Sequence, residues 1–256
     1  MTVTAFRLHS TWMRLISLLL AAVSSLSQAS LASPGAPPAL DDPTVFSDPQ
    51  PLVVKRLDEL VRQLGDSAEQ IRKDPKVAYR ISDELMAPHI DFPRVARLII
   101  GKYWRDASET QRQQLIKEIE SLLTRSYVTA MVSYVDQIVE QQKGTKYHPS
   151  RYQTGDKKSS VRATIPLEGG QSADVQYQLY YRGEWKIYDI RIEGISLAIT
   201  YRTSMGDKIK KAGIDGLIEQ LAEGNRKGEV ELPESIAPEE PVENTNIKVI
   251  QPAAAK

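Results

Sequence analysis

The chain has 256 residues, 33 Lys and Arg balanced by 33 Asp and Glu, and no cysteine. That composition excludes a disulfide-stapled miniprotein, a thiol nucleophile, a thiolate metal site and a lipid anchor on an N-terminal cysteine. Residues 50–227 carry 29 basic against 24 acidic side chains, a net of +5, while residues 228–256 carry 2 against 6; so mild a bias falls short of the basic stripe that nucleic acid demands.

Residues 1–32 read as a secretory signal peptide. Arg7 and Arg14 flank the start, an apolar run spans Leu15 to Val23, and the small-residue segment SQASLAS allows cleavage after Ala29 or Ala32. The competing reading, a membrane anchor, needs ~20 apolar residues, and this run is far shorter. A soluble, exported protein is expected, and for a chain without cysteine the bacterial periplasm fits best. Residues 33–50, rich in proline, are expected to form a flexible leader.

From Pro51 the apolar period is helical, with Val54, Leu57, Leu60 or Val61, Leu64, Ala68 and Ile71 on one face. Asp74-Pro75 ends one helix and opens the next, striped by Val77, Ile81 and Leu85. Asp91 with Pro93 starts a third, carrying Phe92, Ala96, Ile99 and Tyr103. The segment SETQ is a capping box of Ser108 and Gln111. It opens a helix with Leu115, Ile119, Leu122, Leu123, Met131, Tyr134 and Ile138 inward. Its roughly thirty residues would span about 45 Å, so a break is expected near Thr129 to Tyr134.

The period then changes to two. A weak strand is expected over Thr145 to Gln153, followed by Val161, Ala163, Ile165 and Leu167, then by Ala173, Val175, Tyr177, Leu179 and Tyr181, and then by GEWKIYDIRIEGIS from Gly183. Short glycine-bearing connections make this an antiparallel meander. In the last strand strict alternation sends Trp185 and Ile187 to one side and Tyr188, Ile190 and Ile192 to the other, so it reads as apolar on both faces. Helical period returns after Gly194, with Ser196 as cap, Ala198, Tyr201, Met205 and Ile209 inward, a helix end at Gly213, and a last helix bearing Leu217 and Leu221. The fold class is therefore α+β: helices around a curved antiparallel sheet of about four strands enclosing an apolar cavity, one domain over residues 51–227. Residues 228–256, acidic and proline-bearing, are expected to be a disordered tail.

Catalytic signatures are missing. His89 and His148 each adjoin a proline without a second metal ligand at useful spacing, and structural roles suit both. Asp189 and Glu193 lie ~13 Å apart along a strand, too far for a glycosidase pair, and fit turn hydrogen bonds better. No phosphate-cradling glycine loop or Gly-x-Ser-x-Gly elbow occurs. An enzyme is not expected, and no cofactor or metal is called for.

Three segments carry a resemblance: DELMAPHIDFPRVARLIIGKYWRDASETQRQQLIKEIESLLTRSY (Asp83 to Tyr127), WKIYDIRIEGISL (Trp185 to Leu197) and KAGIDGLIEQL (Lys211 to Leu221). Their sequence, order and spacing resemble the MlaC family of periplasmic phospholipid-binding proteins, known also as toluene-tolerance proteins. The resemblance covers roughly Pro51 to Asn225, and the tail is longer than the family leads one to expect. It implies a shuttle that moves glycerophospholipid between an outer-membrane lipoprotein-porin complex and an inner-membrane lipid ABC transporter complex, maintaining outer-membrane lipid asymmetry. Phospholipid is then cargo, and a monomer is expected. The alternative is a periplasmic adaptor that binds only protein partners. For the shuttle, residues drawn from helix stripes and strand faces are expected to wall the cavity: Ile99, Tyr103, Leu122, Met131, Ile165, Tyr177, Leu179, Ile187, Tyr188, Ile190 and Ile192.

Overall fold

A computed structural model describes residues 46–228. The signal peptide expected at 1–32, the leader as far as residue 45 and the acidic tail from residue 229 lie outside the described residues. Helix α1 (Pro49–Asp66) starts where the Asp48 carboxylate accepts the Gln50 N–H at 2.9 Å, with proline in the first turn. This is two residues before the boundary drawn from periodicity. The short α2 (Ala68–Lys73) follows, then α3 (Lys76–Leu85), begun by Asp74 accepting the Lys76 N–H. A single 3₁₀ turn, Ala87–His89, leads to α4 (Phe92–Ile100), capped by Asp91 through the Arg94 N–H. Both halves of the Ser108–Gln111 capping box are formed at the head of α5 (Glu109–Ser133). The expected break falls at Tyr134, whose φ of −127° and ψ of 24° leave the helical region before α6 (Val135–Gly144) begins.

Five antiparallel strands follow in sequential order: β1 (Lys146–Tyr147), β2 (Lys158–Pro166), β3 (Ser172–Tyr181), β4 (Trp185–Ile192) and β5 (Ile195–Ser196). The first is far shorter than the Thr145–Gln153 strand expected. Lys146 and Tyr147 pair with β2, the His148 N–H still donates to the Arg162 carbonyl, and Pro149, which has no N–H for a ladder, comes next. The β4–β5 turn takes Glu193 and Gly194 to positive φ (51° and 78°), the geometry of a tight hairpin. Glu193 is held there by its carboxylate accepting the Asp174 N–H at 2.6 Å and its own N–H donating to the Asp174 carbonyl. Asp189 accepts the Ala198 N–H at 3.3 Å, so both acids make turn and cap contacts.

Helix α7 (Leu197–Lys227), capped by Ser196, closes the described chain and kinks at Gly213. Gly213 has φ 73° and ψ −178°, a region open essentially to glycine alone. The apolar residues divide into two cores. One lies between the sheet and α1, α2, α3, α6 and the end of α5. The other joins α4, the first half of α5 and α7 and contains no strand residue.

Candidate functional site

β4 decides the shape of the interior. Its register with β3 pairs Tyr181 with Trp185 and Leu179 with Ile187, then slips by one, so that Gln178 pairs with Asp189, Tyr177 with Ile190 and Val175 with Ile192. Tyr188 is the extra residue of a β-bulge. An inserted residue reverses the alternation beyond it, so Trp185, Ile187, Ile190 and Ile192 all share the face of Leu179, Tyr177 and Val175. The expectation that this strand is apolar on both faces is therefore overturned. It is two half-strands of opposite parity, and the opposite face carries Lys186, Asp189 and Arg191 beside Tyr180, Gln178 and Gln176.

The result is one continuous apolar sheet face, extended through Val161, Ala163 and Ile165 of β2. α1 lays Val53, Leu57, Leu60, Val61 and Leu64 over it, and α5 adds Val128 and Met131. Near the β3–β4 hairpin this interior opens into a small pocket between Leu52, Val53 and Leu57 of α1, Leu85 and Met86 at the end of α3, and Leu179, Trp185 and Ile187 of the sheet. Its free space is about 20 Å³, room for about one water and far below the several hundred Å³ of a ligand-holding site. Arg56 and His89 complete the lining. Burial, and then the nearby Arg56 charge, hold the His89 pKa below its ordinary value, so the imidazole is neutral at pH 7.

Residues 46–48 strap the hairpin end. Phe46 stacks on Tyr181 with ring centroids 3.9 Å apart and meets Trp185 edge-on. The Trp185 indole N–H donates to the Ser47 carbonyl at 2.9 Å, and the Tyr152 hydroxyl donates to the Phe46 carbonyl.

Polar atoms inside this core are under-satisfied. Among the described residues, the hydroxyls of Tyr147 and Tyr177, Gln142 Oε1 and Arg56 Nε are buried with no hydrogen-bond partner. Each such group ordinarily costs about 1–3 kcal/mol. Gln142 Nε2 donates to Asp58 Oδ1 at 3.1 Å, and burial lifts the Asp58 carboxyl to a pKa of about 6. Among the described residues no group of acidic or histidine side chains could hold a metal ion, and no helix is long and apolar enough to cross a membrane.

The eleven residues expected to wall a cavity do not share one compartment. Met131, Ile165, Tyr177, Leu179, Ile187 and Ile192 are buried in the sheet-side core, with Ile190 packed against it. Ile99 and Leu122 lie in the helical core, and Tyr103 packs on that core. Tyr188 belongs to neither and faces the polar side, where the Arg94 guanidinium sits 4.9 Å from its ring centroid and 3.9 Å from that of Tyr180. Missed by the sequence reading were Leu52, Arg56 and His89 at the pocket and the half-buried Asp58 and Tyr147 beyond it. For the charged and polar members no periodicity could have found them. His148, by contrast, has the structural role expected, its Nε2 lying 2.8 Å from the Thr164 hydroxyl.

A family model described as MlaC protein matches residues 55–223. The toluene tolerance protein ttg2D of Pseudomonas putida is 26% identical over 169 residues, which are 65% of this chain and 75% of that protein. The intermembrane phospholipid transport system binding protein MlaC of Haemophilus influenzae is 23% identical over 180 residues, 68% of this chain and 81% of that protein. Among solved structures, the phospholipid-binding protein from Ralstonia solanacearum in complex with a phospholipid superposes with a TM-score of 0.58 at 26% identity, covering 71% of this chain and 99% of that one.

Proposed function

The chain belongs to the MlaC family, lipid-binding transport proteins rather than enzymes, and from that premise we propose that it binds a phospholipid in its sheet-side core and carries it through the periplasm. The observation that carries this reading is the likeness, across nearly the whole of that chain, to a protein solved with a phospholipid bound, combined here with an unbroken apolar sheet face covered by α1 and α6. The endpoints of the journey follow the family: an outer-membrane lipoprotein-porin complex and an inner-membrane lipid ABC transporter complex, with outer-membrane lipid asymmetry as the outcome.

The energetics suit a carrier. At ~0.8 kcal/mol per methylene, two sixteen-carbon tails represent on the order of 25 kcal/mol of exposure to water, so unaided diffusion is negligible. An interior of Leu, Ile, Val and Met resembles the bilayer, and exchange between them lies close to balance. The pocket of about 20 Å³ holds no tail as it stands, so loading requires the layer of α1 and α3 to move away from β3 and β4. Arg56 and His89 flank that opening and leave a charged head group at the water boundary.

Native mass spectrometry of the purified mature protein tests the reading. Co-purified two-tailed lipid, or lipid taken up from vesicles, supports it. Protein that is repeatedly lipid-free and cannot extract lipid would point instead to an adaptor that binds only proteins.

A further inference from the structure

The sheet-side core contains a polar nest that its apolar lining does not explain. Tyr177, midway along β3 between cross-strand partners Val161 and Ile190, is fully buried, and its hydroxyl has no partner. The Tyr147 hydroxyl, from β1, is in the same state. Asp58 of α1 and Gln142 of α6 are joined by one hydrogen bond, which leaves Gln142 Oε1 without a donor. Tyr147 pairs with Ala163 and Tyr177 with Val161, so the two phenols stand on one face of the sheet, on either side of β2 and two residues apart in its register. Burial raises both phenols well above their ordinary range, and both stay protonated as O–H donors.

A buried donor without an acceptor in the protein suits an acceptor that arrives with the ligand. Leu179, two residues along β3 on the same face, lines the pocket, so the Tyr177 position lies ~7 Å deeper. A phosphate is too strongly hydrated to travel that far into an apolar core. The ester carbonyls of a diacyl lipid are neutral, sit where the tails begin, and enter with them. Resting on the phospholipid-carrier reading, we propose that the Tyr177 and Tyr147 hydroxyls form an internal subsite for the ester carbonyl oxygens of the bound lipid. The subsite sets how deep the tails reach, and it distinguishes ester-linked from ether-linked lipids.

The test measures uptake by the delipidated full-length mature protein from vesicles of dipalmitoyl phosphatidylethanolamine and of its dihexadecyl diether analogue, in competition, read by native mass spectrometry. The parent should favour the diester by up to about tenfold, the scale of one or two net hydrogen bonds. Tyr177→Phe and Tyr147→Phe should each shrink the preference, and the double variant should erase it. Delipidated stability should be unchanged or raised in each, because the hydroxyl removed had no partner. Equal uptake of both lipids by the parent, or a preference that survives the double variant, overturns the subsite while leaving the carrier intact. A loss of stability in the delipidated variants overturns it too, since the hydroxyls would then be held by trapped water. Uptake of neither lipid by the parent defeats the carrier reading together with the subsite.

Discussion

Leu179→Ala separates a residue that touches cargo from one that merely fills a core. Leu179 is 1% exposed and borders the pocket of about 20 Å³ opposite α1. Truncation removes three side-chain carbons, about 2.4 kcal/mol at ~0.8 kcal/mol per methylene, and adds the penalty of the enlarged void, for a total of about 3–5 kcal/mol. At about 2–4 °C per kcal/mol for a domain of this size, the delipidated variant should melt roughly 6–20 °C below its parent. In the loaded protein, tail carbons occupy the vacated space and the void term disappears, so the loss should be about 1–2 kcal/mol smaller. By linkage, the variant should hold lipid about five- to thirtyfold more tightly than the parent. Urea unfolding of delipidated and loaded protein, parent and variant, measures all four corners of that cycle. Equal destabilisation in both states would show that Leu179 contacts protein alone and that the interior does not open there.

Three further outcomes are expected. Asp58 has a folded pKa of about 6 against an ordinary 3.8, so the folded state binds its proton more tightly; stability from this group is fully present below about pH 3.8 and lost as pH rises through 6. The difference between parent and Asp58→Asn in urea titrations of delipidated protein should therefore change across that window and be flat above pH 7, and a flat difference throughout would place the carboxyl in water. Phe46→Ala should cost about 3 kcal/mol by removing the stack on Tyr181, and a loss under ~0.5 kcal/mol would mean that the strap contributes nothing to the fold. Association with anionic partner complexes should slow between low and physiological salt, since exposed charges are screened, and salt-independent rates would remove electrostatics from docking.

Helix starts were legible wherever a short polar side chain stood ahead of an apolar stripe, as at Asp91, Ser108 and Ser196. The break at Tyr134 was legible from length alone. β4 was not, because a bulge leaves no mark on composition, and its extra residue, Tyr188, is as strand-compatible as its neighbours. The stripes of Ile99 and Leu122 announced burial but not what would cover them: residues nearly a hundred positions downstream in α7, including Tyr201 and Met205, supply that cover. Asp58 was one carboxylate among several on α1, and only the approach of α6 through Gln142 sets it apart.

The separation of the two cores gives each a different tolerance for change. The helical one is laced by polar ties between distant segments: Arg202 to the Leu98 carbonyl, Gln111 to Asp215, Asn225 to Glu118, and the buried Arg125 to Asn225. Among the described residues no side-chain hydrogen bond joins α1 to the strands it covers, and several polar atoms there lack partners. α5 belongs to both, giving Leu115, Ile119 and Leu122 to one and Val128 and Met131 to the other. On the carrier reading, the sheet-side half is the one with fewer ties to give up when a ligand enters, although the Asp91 N–H donating to the Ile187 carbonyl still joins the start of α4 to β4. If the sheet-side core takes up lipid as proposed, the contour made by α1, α3 and the β3–β4 hairpin is the surface on which a loaded and an empty molecule would differ most, and a partner that tells them apart would dock there.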